Sequence, residues 1–409
     1  MINTRDPSPS QQWKQRLTEE PRIDAASPDL PWAVMETLIE GRSSIDLDLM
    51  PVSSREEASD LVYQYGFNLS LPADVADVQA YMTEALNFIA YRFLSHATDW
   101  PSFGEPEAPL SEAPESIRAC NDIVELLLIA SSKTDVNRYW ACALLKVIHT
   151  LVYIDNTPLY QYLDMASQAI MKRFEALITP EADGSMLLKG RYGQSLKLYA
   201  FQTKTRKSRE SILMKLLSKK ENVAENIWDL VGVRLVTFYP AEAILALEIL
   251  RSQKVILFPN IVPSRSTNNL IDFDAFKRFY TAQNNAYQTG QIDFEAMAAV
   301  FQDAGLLYPE KRHPRENPMS SPAFRSLNVT CRHLLKTTGL AESVDSKNSP
   351  DTPKRSGTRF AFPYEIQFLD QTSYLQSQSG YESHNNYKQR QLFAARRRVL
   401  GALLNPKVV

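Results

Sequence analysis

From about residue 33 to 178, apolar residues recur at three- and four-residue spacing, as in "DVQAYMTEALNFIAYRFLSHA", "NDIVELLLIASS" and "RYWACALLKVIHTLVYI". That period lets a helix bury one face, so the stretch is expected to be helical. Proline-rich breaks at "PADV" and "DWPSFGEPEAPLSEAPESI" punctuate it, the second being long enough for an exposed loop. After "ITPEADG" the pattern changes. "SMLLKGRYGQSLKLYAFQTKT" alternates in two pieces around "GRYGQ", which predicts a hairpin. A helix over "KSRESILMKLLSKK" follows, its stripe formed by Ile212, Leu213, Leu216 and Leu217, then a strand over "DLVGVRLVTFY" and a helix over "AEAILALEILRSQ".

The section from about 265 to 320 is polar, with helices expected near "DFDAFKRFYTAQ" and "DFEAMAAVFQDAG", and it carries the basic, proline-bounded loop "PEKRHPRENPMSSP". It reads as an insertion lying over the sheet. Two further strands, "AFRSLNVTCRHLL" and "RFAFPYEIQFL", are separated by the polar "KTTGLAESVDSKNSPDTPKRSGT", and a last helix runs from about "YESHNNYKQRQ" to "RRRVLGALL". In the final strand, alternation sets Tyr364, Ile366 and Phe368 on one face and Glu365 and Gln367 on the other. Read alone, such a stretch is an edge strand with one solvated face. The expected organisation is a flexible arm over residues 1–32, a helical domain over 33–180 and a second domain over 181–409. The expected fold class is α+β, a mixed β-sheet flanked by helices following the all-helical part.

At 409 residues the chain exceeds one ordinary core. Its 45 basic and 47 acidic side chains nearly cancel, so no global field points to nucleic acid or a lipid surface. Cys120, Cys142 and Cys331 form no metal-binding or disulfide pattern, which suits a reducing cytoplasm. No segment approaches the roughly 20 apolar residues of a spanning helix, and a cytoplasmic protein without membrane partners is expected. His96 and His149 lie in apolar helical surroundings and are expected to be structural.

Four pieces then line up in order: "KSRESILMKL", "DLVGVRLV", "FRSLN" and "YEIQ", with "HNNYK" behind them. They supply a lysine-rich helix start, an acid opening a buried strand, an aromatic beside a base, and a second acid on the last strand. Two carboxylates on neighbouring strands suit Mg²⁺, which is usually held by one or two carboxylates plus substrate phosphates. Lysines and a helix N-terminus suit the remaining phosphate charge.

Over about residues 185–395, this order resembles the synthetase domain of the RelA/SpoT family, whose members move a pyrophosphate group from ATP to the ribose 3′ position of a guanine nucleotide, making (p)ppGpp. The resemblance implies a nucleotidyltransferase-like sheet. It implies that Lys207, Ser211 and Lys215 contact ATP, that Asp229 and Glu365 are catalytic and hold Mg²⁺, and that Arg234 packs near the ATP base. "NPMSSPAFRSLN" looks like the family's acceptor loop, with Phe324 where a tyrosine stacks on guanine, followed by Arg325 and Asn328. Gln367, His384 and Lys388 match further acceptor or phosphate contacts, with Tyr387 in the same tyrosine-lysine pair. The chain departs from the family pattern at Thr205, Ala323, Asn328, Leu369 and Asp370; Leu369 stands where the family has an arginine.

The expected activity is a nucleotide pyrophosphokinase using ATP and an acceptor, GDP or GTP first among them, in the setting of a stringent response. Two alternatives stand beside it. One is a degenerate synthetase fold that binds nucleotides as a regulator. The other keeps the chemistry and takes an adenine nucleotide or a tRNA 3′ end, with "EKRHPREN" as a basic loop for RNA. No clustered histidine and aspartate ligands of an alarmone hydrolase are seen in the helical part, which is left with regulation, oligomerisation or protein binding as roles.

Overall fold

The computed structural model describes residues 32–40, 43–94, 110, 112–190, 194–204, 207–219, 229–286, 324–336, 359–378 and 384–404. The sequence-predicted N-terminal arm, the helix over "DFEAMAAVFQDAG", the loop "PEKRHPRENPMSSP" and the polar stretch after Lys336 lie outside these residues, as do Thr205, Arg206 and Ala323.

The helical part contains α1 (Trp32–Ile39), α2 (Arg55–Gln64), α3 (Pro72–Phe88), α4 (Ile123–Ser131), α5 (Arg138–Asp155) and α6 (Leu163–Glu175). Helix α5 is apolar on most of its circumference, burying Trp140, Leu144, Val147, Ile148, Leu151 and Ile154 among others. A helix of that kind needs neighbours on several sides. It has them: α3 and α4 pack against it, and so do α7 (Arg209–Ser218) and α11 (His384–Leu404) from the second half of the chain. A π-helical turn, Ile89–Leu94, continues α3. His149 stays structural, its Nδ1 hydrogen-bonded to the Tyr65 hydroxyl and its ring stacked on Tyr153.

Among the described residues, eight strands form two sheets: β1 (Ile178–Pro180), β2 (Met186–Lys189) and β3 (Ser195–Leu198) make a small antiparallel one. The larger sheet has the order β4-β5-β8-β7-β6, from Ala200–Lys204, Gly232–Thr237, Arg359–Asp370, Leu327–Lys336 and Thr267–Asn268. In it β5 and β8 run parallel, and the other pairs among the described residues are antiparallel. The expected hairpin over 185–205 therefore splits. β2 and β3 pair as predicted, but at Tyr199, whose N–H donates to the Val236 carbonyl at 2.8 Å, the chain leaves for the larger sheet and continues as β4. Alternation continues across that crossing, which is why the sequence reads as one strand.

Strand β8 is central, flanked by β5 and β7, so an isolated reading of it as an edge is corrected by its two neighbours. One face of the sheet carries Phe201, Val233, Leu235, Val329, Ile366 and Phe368, in register across four strands. Phe174 of α6 lies edge-on to Tyr364 at 6.5 Å and stacks beside Phe201, while α8 (Glu242–Ser252) covers β8 and the small sheet. Buried residues from Ile45 to Leu400 form one cluster, so helices and sheet share a core. The described residues thus form a mixed α+β structure. Helix α9 (Phe273–Ala286) follows β6.

Helix α10 (Gln371–Gln378) directly follows β8 and was not anticipated. Its sequence, "QTSYLQSQ", carries little apolar periodicity. What starts it is Asp370, buried and accepting from the Ser373 N–H at 3.3 Å. Among the described residues, no helix is long and apolar enough to cross a membrane.

The alternation in β8 gives a direct test. Phe368 is fully buried while its neighbour Gln367 keeps part of its surface. Phe368→Ala should cost about 3–5 kcal/mol in chemical denaturation, whereas Gln367→Ala should cost well under half of that. Equal losses would mean that the faces are assigned wrongly.

Candidate active site

The opposite face of the larger sheet is polar, and its residues fall in rows set by strand register. One row runs Gln202, Arg234, Gln367, Asn328 and Thr267, one residue from each of the five strands. The next row toward the start of β5 runs Lys204, Gly232, Glu365 and Thr330. In the other direction Ala200, Val236 and Leu369 are aligned, and Val236 and Leu369 are fully buried. The polar face therefore ends at Leu369.

Asp229 stands just ahead of β5 and receives two ammonium groups. Lys207 Nζ donates to its Oδ2 at 2.8 Å, and Lys215 Nζ pairs with its Oδ1. Lys207 retains 9% of its side-chain exposure and Lys215 13%, against 25% for the aspartate. These exposures explain the pairing, because a recessed ammonium group is costly unless a counter-charge accompanies it. Lys215 is presented by α7, and Lys207 lies immediately before the residue that caps it. Ser208 caps that helix, accepting from the Ser211 N–H at 3.2 Å, and its hydroxyl also bonds Ser211 Oγ at 2.8 Å. Ser211 thus shares its hydroxyl with the cap.

Burial pushes the Lys207 pKa down to about 8, with Asp229 opposing and Lys215 adding to the fall. Burial works the same way on Lys215, but Asp229 outweighs it and the net direction is up. For Asp229, burial favours the neutral acid, and the two lysines overcome that and hold the carboxyl well below the ordinary range. Glu365 moves the other way. Burial and the nearby Asp229 charge raise it, while Lys215, Lys207 and Lys204 pull against the rise.

Glu365 is anchored by its backbone, donating its N–H to the Val231 carbonyl at 3.0 Å, yet no side-chain hydrogen bond or ion pair to its carboxylate is formed among the described residues. Gly232, its cross-strand neighbour, leaves the space between Lys204 and Glu365 free of a side chain. A Cβ there would meet only ordinary contacts, at 3.8 Å from the Glu365 carbonyl oxygen and 3.9 Å from Lys204 Cβ, so openness rather than backbone strain is what the glycine provides. Among the described residues no group of three or more His, Cys, Asp or Glu side chains could hold a metal ion. Asp229 and Glu365 are the two carboxylates of the cluster, and since both Asp229 oxygens are engaged by lysines, a cation there would take the place of an ammonium group.

In the five-strand row, Arg234 Nε donates to Gln367 Oε1 at 2.8 Å and its guanidinium also reaches Gln202 Oε1 at 3.4 Å; Gln202 Nε2 donates to the Tyr374 hydroxyl at 2.7 Å. Burial lowers the Arg234 pKa, with Tyr374 and Glu365 opposing the fall. Asn328 bonds Thr267 Oγ1 at 3.3 Å, and its buried Oδ1 has no partner among the described residues.

Phe324 and Arg325 are half-buried on the segment entering β7. Leu327 pairs with Phe368, so they lie toward the Gln367 end of the face rather than the Glu365 end. Asn269 fastens this segment. Its side chain donates to the Phe324 carbonyl at 2.9 Å and accepts from the Ser326 N–H at 2.7 Å. His384 opens α11, its side chain outside the described residues; Lys388 is exposed, and Tyr387 one position before it lies close enough to Lys215 to help raise it.

The structure thus gathers Lys207, Lys215, Asp229 and Glu365 into one cluster and sets Arg234, Gln367 and Asn328 in the adjacent row. Lys204, Gln202, Thr267, Thr330 and Tyr374 were not singled out from sequence. The alternation of "AFQTK" could have placed Gln202 and Lys204 on the polar face, but Tyr374 belongs to the helix that was missed. No protein-family model, curated protein or solved structure matches the chain.

Opposite shifts in the two carboxylates make opposite predictions. Asp229→Asn should lower stability at pH 7 by about 3 kcal/mol, since both recessed lysines lose their counter-charge. The stability that ionised Asp229 contributes is present above its ordinary pKa of 3.8 and fades as pH falls through the lower folded value. Glu365 is raised above its ordinary 4.5, so its ionisation costs stability as pH rises through the window above that value. Glu365→Gln should therefore be neutral or stabilising at pH 7, a gain that disappears below about pH 4.5. Denaturant midpoints from pH 4 to 8 would check both; a destabilised Glu365→Gln protein at pH 7 would contradict the assignment.

Proposed function

We propose that this chain is a nucleotide pyrophosphokinase of RelA/SpoT synthetase type, transferring the β,γ-diphosphate of ATP to a ribose 3′-hydroxyl of a nucleotide acceptor. The observation that carries the reading is the meeting of Lys207, Lys215, Asp229 and Glu365, drawn from positions up to 158 residues apart, at one open, polar end of a parallel strand pair. With Lys204 beside them, lysines outnumber carboxylates three to two, which suits a polyphosphate chain.

In this reading Lys207 and Lys215 bind the phosphates, and Arg234, held by Gln202 and Gln367, lies beside the ATP base. Asp229 and Glu365 would hold Mg²⁺, which when bound neutralises phosphate charge. The acceptor base stacks on Phe324. Its 3′-oxygen forms a bond to the β-phosphorus as the bond from that phosphorus to the α,β-bridging oxygen breaks, releasing AMP. Glu365, whose pKa is raised and whose carboxylate makes no hydrogen bond among the described residues, takes the hydroxyl proton. Positioning and electrostatics supply the rate, as in other phosphoryl transfers. GDP or GTP is the first acceptor to test, with ADP, AMP and tRNA as alternatives.

One observation favours a second reading, nucleotide binding without turnover. Leu369 is fully buried beside Val236, so the place of the family's arginine is packed with apolar atoms. Incubation with labelled ATP, Mg²⁺ and GDP, GTP, ADP, AMP or tRNA separates the two. Transfer is expected to at least one acceptor, to fall roughly 10²-fold or more in Glu365→Gln, and to yield AMP in equal amount. Tight ATP binding with no labelled acceptor would support the regulator instead.

A further inference from the structure

Two residues of the lysine-bearing helix α7 face away from the site and grip the helical half of the chain. Arg209 donates to Glu84 of α3 at 2.8 Å and to Asp155, the last residue of α5, at 2.6 Å. The Tyr81 hydroxyl donates to the same Asp155 oxygen at 3.0 Å, closing a link between α3, α5 and α7. Glu210 pairs with Arg92, which the π-helical turn after α3 presents. A π turn adds a residue to the helical repeat and rotates the chain beyond it, and such turns recur at functional places. The same turn also meets α11, because Arg396 Nε donates to the Phe93 carbonyl at 2.9 Å. One irregular turn thus touches α7 and α11 together.

These ion pairs are too exposed to be a main source of stability. Side-chain exposures are 30% and 41% for Arg209 and Glu84, 29% for Asp155, and 40% and 44% for Arg92 and Glu210. Pairs of that kind contribute about 0–1 kcal/mol each. Their geometric effect is larger, since they hold the first turn of α7, two and three residues after Lys207. Lys207, just ahead of that helix, and Lys215, upon it, must both reach Asp229, and a misplacement of about 1 Å in a charged site is costly to function.

We infer that Arg209 and Arg92 are positioning residues through which the helical half sets the affinity of the lysine cluster for a polyphosphate. This rests on the proposed phosphate-binding role of Lys207 and Lys215. The helical half thereby acquires a defined role, because whatever shifts α3 or the π turn changes nucleotide affinity by moving α7.

The test uses the full chain. Binding of a fluorescent ATP analogue and of inorganic tripolyphosphate is measured, with thermal unfolding in parallel, for Arg209→Gln, Arg92→Gln and the charge swap Arg209→Asp with Asp155→Arg. The expected result is a roughly tenfold weaker affinity for both ligands in Arg209→Gln, a smaller loss in Arg92→Gln, little change in Tm, and partial recovery in the swap. Unchanged affinity in the single variants, or a loss that follows a fall in Tm, overturns the inference. Binding without diphosphate transfer in the wild type overturns the proposed reaction alone, whereas a wild type that binds neither ligand overturns both.

Discussion

Asp229 holds two lysine ammonium groups that could not otherwise stay recessed, and the arrangement of the polar face follows from that charge sharing. Without it, Lys207 and Lys215 would swing to solvent, α7 would lose its tie to the start of β5, and Glu365 would lose the positive surroundings that moderate its burial. The aspartate is thus structural as well as a candidate ligand. Glu365 has the opposite character. It is carried by the sheet and stabilised by little, which is the condition expected of a group kept for chemistry rather than for folding.

Much of this was legible in the chain. The strands over "DLVGVRLV" and "YEIQFL" occur where alternation and apolar runs place them, and the parity that separates Glu365 from Ile366 is the one observed. Helix α7 buries the stripe of Ile212, Leu213, Leu216 and Leu217 that the sequence marks out. The hidden part depends on pairing between distant segments. No local pattern says that β4 leaves the hairpin for another sheet, since alternation is the same in either partner. Nor could spacing show that Gln202 and Thr267 end a row through Arg234, Gln367 and Asn328, because register is a property of strand pairs. Helix α10 escaped because an aspartate cap, rather than an apolar stripe, starts it.

The helical half and the sheet are usefully regarded as one mechanical body. Helix α5 is the shared axle: it packs α3 and α4 from one side of the chain and α7 and α11 from the other. Lys146, buried within it, reaches Asp48 at 2.7 Å, and Arg398 of α11 pairs with Asp46, so the loop before α2 is drawn into the same junction. Charged groups at this seam choose a single docking geometry from the many that apolar packing alone would tolerate.

The Asn269 clamp has a consequence for how this chain can change. By bonding Phe324 and Ser326, it closes a long excursion between β6 and β7 with its own amide, and the register of β7 is set at that closure rather than by the residues in between. The entropy of closing a loop grows only logarithmically with its length, about 0.6 kcal/mol for each doubling. The clamp can therefore hold β6 and β7 in alignment across a long connection, and loss of the Asn269 amide would be felt at Phe324 and along the row through Asn328 and Thr267.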